Sequence, residues 1–166
     1  MQAAREPFMR KFLDILQDQF LAGIERSERI IRLTPPEALF SRPRQLERSM
    51  AMFSVGEYIL RSGGAIEQTF GGITTRLWDD PFEWTLPEAL NSPEAILAYL
   101  REVRTSVENG FAFLSSDDDL GKRLPAPERL VTIFELLTAT LVRAEHFQGR
   151  ATAILQFYCQ AKPPTP

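Results

Sequence analysis

A chain of 166 residues with 44% apolar content has the size of one domain and can enclose a hydrophobic core. Its formal net charge of -3, with Lys and Arg scattered among acids, argues against a nucleic-acid partner. Cys159 is the only cysteine, which excludes an internal disulfide and fits the cytoplasm. No signal-peptide pattern or membrane-length apolar run occurs, so we expect no membrane association. These features predict one cytoplasmic domain over 1–161 and a disordered tail over 162–166.

The first predicted helix extends from Pro7 to about Leu33. Apolar residues recur along it at helical spacing, with charged and amide residues outside the stripe. Thr34 and Glu37 then have the spacing of a capping box, which predicts a short helical turn after the helix. The stripe consists of Phe12, Leu16, Phe20, Ile24, Ser27 and Ile31.

The second predicted helix begins near Pro43 and ends at the glycine pair 71–72. A glycine pair inside it, at 63–64, indicates a bend or a close contact with another helix. The stretch 73–91 carries three separate turn signals and predicts a long connection. Its aromatic side chains are expected to fold the connection over the end of the bundle or, alternatively, to border a ligand pocket: Trp78, Phe82 and Trp84.

Ser92 and Pro93 predict the start of the third helix, with a capping hydroxyl and a proline at the first helical position. Pro127 opens the fourth predicted helix, which stays periodic to about Tyr158. Four long helices, no alternating strand pattern and one long connection predict an all-α, up-down-type four-helix bundle. The stripe of the third helix consists of Ile96, Leu100, Val103, Val107, Phe111 and Leu114.

Three stretches of the chain share a pattern with a known family. They are 53–61 (Phe-Ser-Val-Gly-Glu-Tyr-Ile-Leu-Arg), 92–120, and 132–149, which ends in Arg-Ala-Glu-His-Phe-Gln-Gly. Together they resemble the DinB/YfiT-like family of bacterial four-helix bundles. The resemblance implies this fold and, in members that hold a divalent metal, three histidine ligands, one in the second helix and two in the fourth. Some members are thiol-dependent transferases and others are hydrolase-like.

On this resemblance the three ligand positions fall on Arg61, Arg143 and Phe147. Arginine stays protonated in proteins and phenylalanine has no donor atom, so neither ligates as histidine does. His146 is the only histidine, so no shift of register produces a three-histidine site. The sequence therefore predicts no metal and no other cofactor.

Glu57 and Glu145 are the acids nearest to these positions by motif. Glu57 lies four residues before Arg61, which is the favourable order for an ion pair on a helix surface. The alternative is that Glu57 and Arg61 belong to a polar stripe that lines a cavity. For Arg143 the alternatives are a cavity arginine and a long side chain whose head reaches solvent. We interpret His146 as packed or hydrogen-bonded rather than catalytic.

These residues predict a non-catalytic protein that binds a small ligand or acts as an interaction module. A sharper hypothesis is that Arg61 and Arg143 face one cavity and bind an anion, with Phe147 as an apolar wall. The alternative is a metal-dependent hydrolase or thiol-dependent transferase with a rearranged site. A close helix contact is expected at Gly149. We also predict a homodimer, because apolar residues lie beyond one stripe of the second helix: Met50, Phe53, Tyr58 and Leu60.

Overall fold

The computed structural model describes residues 9–43, 52–79 and 89–158. The expected all-α, four-helix fold is confirmed, with α1 (Lys11–Leu33), α2 (Val55–Thr75), α3 (Pro93–Phe113) and α4 (Ile133–Leu155). The shorter elements are 3-10 helices at Pro36–Ala38 and Asp117–Gly121 and an antiparallel hairpin of β1 (Arg123–Pro125) and β2 (Leu130–Thr132). Among the helices of the described residues, none has the length and apolar content needed to span a membrane.

Helix α1 begins at Lys11, after Met9 and Arg10, which are not helical, and the predicted start at Pro7 lies outside the described residues. Phe12, the first residue of the predicted stripe, is 56% exposed, because the buried stripe begins at Leu13 and continues through Leu16. The Thr34 hydroxyl donates to the carbonyl of Ile30 at 2.7 Å and so closes the end of α1. The predicted short turn is present, but the capping box proposed to start it is not.

Helix α2 begins with a capping box. The Ser54 hydroxyl accepts from the Glu57 amide at 3.3 Å, while the Glu57 carboxylate accepts from the Ser54 amide at 2.8 Å. Pro43 and 52–54 are not helical, so the predicted start near Pro43 is wrong, and 44–51 lie outside the described residues. The helix continues past the second glycine pair to Thr75, where Arg76 adopts the left-handed conformation that ends it, with φ 62°.

The glycine pair at 63–64 is one place where α2 approaches α3 closely. A Cβ at Gly63 would lie 3.0 Å from Tyr99 Cε1. The helix stays continuous there, so the close-contact alternative is confirmed and the helix is not interrupted.

Helix α3 begins as predicted. Ser92 accepts from the Ala95 amide at 3.2 Å, and Pro93 takes the first helical position. All six residues of the predicted stripe are buried.

Helix α4 begins at Ile133, so the predicted start at Pro127 is wrong. The Thr132 hydroxyl accepts from the Glu135 amide at 3.1 Å and caps the helix. The preceding residues form the hairpin, in which Leu124 pairs with Val131 and both side chains are buried. The strands are too short for an alternating pattern to stand out in the sequence.

Helices α2 and α4 pack antiparallel. Near one end the rings of Tyr58 and Phe147 have centroids 6.4 Å apart, and further along, the hydroxyls of Thr69 and Thr140 are 2.7 Å apart. The two motifs of the family resemblance on these helices therefore face each other.

Helices α2 and α3 run parallel, since Gly63 meets Tyr99 and Phe70 meets Gly110. A tight turn cannot join a parallel pair, so the number of residues between α2 and α3 has to be large.

Helix α1 runs antiparallel to α3. The Phe20 and Phe111 rings are 5.9 Å apart, and Glu25 pairs with Arg104 at 3.2 Å. The four helices thus run up, down, down and up, so α2 and α3 do not alternate in direction as successive helices of an up-down bundle do. The core is centred where the Phe70 ring of α2 meets Phe20 of α1 and Phe111 of α3. The centroid of the Phe70 ring lies 5.2 Å from that of Phe20 and 5.4 Å from that of Phe111.

Candidate functional site

The predicted ligand positions lie where the first half of α2 packs on the second half of α4. The Ser62 hydroxyl donates to the Ala144 carbonyl at 3.2 Å, in the buried contact between the helices. Arg61 and Arg143 each precede one of these residues. The structure therefore places them at neighbouring positions on facing helices.

Arginines and aromatic rings form a chain of contacts at these positions. The Arg61 guanidinium lies 4.0 Å from the Phe53 ring centroid, and the Arg143 guanidinium lies 6.0 Å from that of Phe147. Tyr58, which is 2% exposed, lies between the rings, 5.5 Å from Phe53 and 6.4 Å from Phe147. Such contacts stabilise a cation through the ring face and provide no metal ligand.

Glu57 is engaged by the loop before α2. Its carboxylate accepts two hydrogen bonds from Arg42, one of them from Nε at 3.0 Å, and its side chain is 11% exposed. Burial opposes ionisation, but the hydrogen bonds from Arg42 and Ser54 outweigh it and hold the pKa of Glu57 below its usual value. The carboxylate therefore has a structural role in the described part of the chain. Sequence reasoning missed Arg42, because a loop residue has no helical spacing to reveal its partner.

Glu145 and His146 contact residues other than Glu57. Glu145 pairs with Arg26 of α1 at 2.5 Å, whereas Glu57 faces the loop before α2. His146 is exposed on α4, with its ring 5.9 Å from that of Phe147. Across residues 9–43, 52–79 and 89–158, no group of three or more His, Cys, Asp or Glu side chains is arranged to hold a metal ion.

A buried polar side chain beside the site escaped the sequence analysis. Gln148 is 2% exposed, and its amide nitrogen donates to the Gly23 carbonyl at 3.0 Å and to Ser62 at 3.3 Å. Its amide oxygen accepts from Arg26 at 3.1 Å. The helical spacing of Thr140, Ala144 and Gln148 is the signal that could have placed it on the buried face.

The close helix contact predicted at Gly149 is wrong. A Cβ there would meet no atom within 4 Å, and Val142, on the same side of α4, is 71% exposed. The inner face of α4 instead passes through Ala144, Gln148 and Ala151. Both faces carry small residues at helical spacing, so sequence alone did not separate them.

The argument for a dimer through α2 is also wrong in its premise. Tyr58 and Leu60 are each 2% exposed, because α2 packs against both α3 and α4. Phe53 is half-buried, and Met50 lies outside the described residues. The homodimer stays a prediction without this support.

A groove of about 430 Å³ lies between α2, α4 and the hairpin. Trp78 borders this groove. Its ring packs against Gly72, where an added Cβ would lie 2.5 Å from the ring, and its Nε1 donates a hydrogen bond to the Pro125 carbonyl at 3.0 Å. Trp78 thus both ties the long connection to the hairpin and lines a pocket. Phe82 and Trp84 lie outside the described residues.

Polar groups occupy defined places in this hairpin groove. Arg143 lines its α4 side, while Arg129 on the hairpin is paired with Glu135. Thr69 and Thr140 line it as a hydrogen-bonded pair. Arg61 is not among the residues that line this groove, so the two arginines of the sequence hypothesis are not brought together in it.

Comparison of the chain with protein-family models and with curated proteins gives no match. The class that the fold defines is an all-α four-helix protein with a small hairpin. The DinB/YfiT-like resemblance stays a prediction, and a function has to be argued from the grooves and side chains themselves.

Proposed function

We propose that this chain is a cytoplasmic, DinB/YfiT-like bundle without the family metal site, and that it binds a small carboxylate without catalysing a reaction. The observation that carries the proposal is the hairpin groove, with apolar walls and Arg143 on one side.

The size and walls of the groove support an organic ligand. Its volume of about 430 Å³ is in the range of small-molecule sites. Trp78, Val131 and Leu136 provide apolar surface on three different elements. An aromatic or branched hydrocarbon body would bury nonpolar area there, which favours binding.

The charge of the groove supports an anionic end on that ligand. Within the described part of the chain, no carboxylate lies within ion-pair distance of Arg143, and its contact is with the Phe147 ring. The Arg129 charge is already matched by Glu135. Glu128 lines the hairpin side and would repel an anion, so the carboxylate belongs at Arg143, whose planar fork suits two oxygens.

The lining also supports binding over catalysis. None of the described residues that line the groove is His or Cys. The Thr69 and Thr140 hydroxyls bond to each other, and Thr140 also bonds to the Leu136 carbonyl at 2.8 Å. A nucleophile needs an adjacent base, and these contacts supply none.

Thermal shift and calorimetry with benzoate, phenylacetate, hexanoate and inorganic phosphate test this proposal, with benzamide as the uncharged comparison. We expect an apolar carboxylate to stabilise the wild type, and Arg143→Ala to weaken binding about tenfold, as for a lost charge-assisted hydrogen-bonded contact. Arg101→Ala removes an exposed arginine of α3 and should bind as the wild type does. Ala139→Trp should block the groove while keeping Arg143.

The proposal fails if no carboxylate stabilises the wild type or if Arg143→Ala binds equally well. One tightly held metal per chain, lost on mutating His146, would favour the metal-dependent enzyme instead.

A further inference from the structure

A second groove, of about 290 Å³, lies on the α3 side of α2. It is distinct from the hairpin groove on the α4 side, and Gln68 borders both. Its described lining contains two carboxylates, Glu67 and Asp79, and no Lys, Arg or His. The charge of this groove is therefore opposite to that proposed for the first.

Glu67 is held in place by a buried tyrosine. The Tyr99 hydroxyl donates to Glu67 Oε2 at 2.8 Å, and Tyr99 is 5% exposed. Burial, together with the Glu67 charge, raises the pKa of Tyr99 well above its usual value, so the hydroxyl keeps the proton that it donates. The second carboxylate oxygen and the remaining lone pairs are left to accept from a ligand.

The hydroxyls of the groove have already used their protons. Thr74 and Thr75 each donate to the carbonyl four residues earlier at 2.8 Å, and Ser106 does so at 3.2 Å. A hydroxyl has one proton and two lone pairs, so these groups present acceptors. Together with the carboxylates, they make a surface that is complementary to a hydrogen-bond donor with positive charge.

The apolar part of the lining favours an organic cation over a metal ion as the ligand. Leu77, which is 58% exposed, borders the groove beside the polar groups and would contact a hydrocarbon chain. A hard metal ion requires several converging oxygen ligands. The described residues contain no group of three or more His, Cys, Asp or Glu side chains that could hold one.

We propose that this groove binds an organic ammonium ion with a short hydrocarbon chain, with Glu67 as its principal carboxylate and Asp79 as the second. The site is independent of the proposed carboxylate site, because Arg143 takes no part in it.

Calorimetric titration of 1,4-diaminobutane into the full chain tests the inference, with 1,4-butanediol as the uncharged comparison. We expect saturable binding of the diamine and no saturable binding of the diol. Glu67→Gln keeps an acceptor for Tyr99 but removes the charge, and should weaken binding about tenfold. Glu108→Gln, on the exposed side of α3, should bind as the wild type does. Arg143→Ala should also leave diamine binding unchanged, which separates this site from the carboxylate site.

Asp79→Asn provides a second variant on an exposed residue, should Glu67→Gln fold poorly, and we expect it to weaken binding about threefold. Absence of saturable diamine binding by the folded wild type overturns the inference. Equally tight binding of butanediol also overturns the inference, as does an unchanged affinity for the diamine in both Glu67→Gln and Asp79→Asn. Displacement of the diamine by equimolar calcium chloride would identify a metal site and reject the ammonium site.

Discussion

Gly110 and Gly149 both lie inside long helices, yet their surroundings differ. A Cβ on Gly110 would lie 2.1 Å from Phe70 Cδ1, and Phe70 is packed edge-on against Phe20 in the core. A Cβ on Gly149 would meet no atom within 4 Å. The two positions therefore separate the intrinsic cost of a helical glycine from its role in close packing.

We expect Gly110→Ala to lower the free energy of unfolding by about 1–3 kcal/mol, because Phe70 has no room to move away. Gly149→Ala should raise it by about 0.5–1 kcal/mol, since alanine has the higher helix propensity and the site is open. Urea unfolding of both variants checks the pair. If Gly110→Ala is as stable as the wild type, the core can accommodate a shift of the Phe70 ring, and the expectation is contradicted.

Arg10 and Asp117 join the ends of helices that are distant in sequence. The Asp117 carboxylate accepts from the amides of Phe12 at 3.1 Å and Leu13 at 3.0 Å, at the start of α1, where Arg10 supplies no side-chain cap. In return, Arg10 donates to carbonyls at the end of α3, including that of Phe111 at 3.3 Å. Each residue thus caps an element other than its own.

Removing this cap should destabilise the fold. We expect Asp117→Ala to lower the free energy of unfolding by about 1–2 kcal/mol, the usual cost of losing a helix cap. Asp118→Ala, at the exposed neighbouring position, is the matched control and should stay within about 0.5 kcal/mol. Chemical unfolding measures both, and equal effects would show that the local negative charge matters instead of the hydrogen bonds.

Carboxylates with lowered pKa values, among them Glu57 and Asp119, couple the stability of the whole molecule to pH. Burial disfavours the charged form of Glu57, yet the hydrogen bonds from Arg42 and Ser54 lower its pKa from 4.5 overall. The hydrogen bond from Lys122 is the main cause that lowers the pKa of Asp119 from 3.8. Below these ordinary values the unfolded chain binds more protons than the folded one.

These two groups should therefore add no pH dependence to the free energy of unfolding near neutral pH, where their stabilisation is fully present, and the free energy should fall as the pH drops below about 4.5, the ordinary value for glutamate. Glu57→Gln should flatten this acid dependence, because one carboxylate with a lowered pKa is removed. Glu37→Gln, at an exposed position, should leave it unchanged. Urea unfolding between pH 3 and pH 7 checks the slope, and a wild-type stability that rises on acidification would contradict the expectation.

The helix class, the long connection and the start of α3 could be predicted from sequence, because local spacing, proline and a capping hydroxyl determine them. Ser92 and Pro93 act on the next few residues, and no distant part of the chain changes their effect. The same logic was available for α4, where Thr132 and Glu135 have cap spacing, but Pro127 was the more conspicuous signal.

Tertiary structure decided which sides of the helices face one another. Gly110 and Gly149 are both helical glycines, and only the neighbouring helix makes one a close contact and leaves the other open. Likewise, Glu57 stands at ion-pair spacing from Arg61, but its carboxylate accepts hydrogen bonds from Arg42, which lies in a loop. Helical periodicity specifies directions around one axis, whereas grooves and ion pairs depend on how several axes are placed, and that placement depends on contacts between residues far apart in the chain.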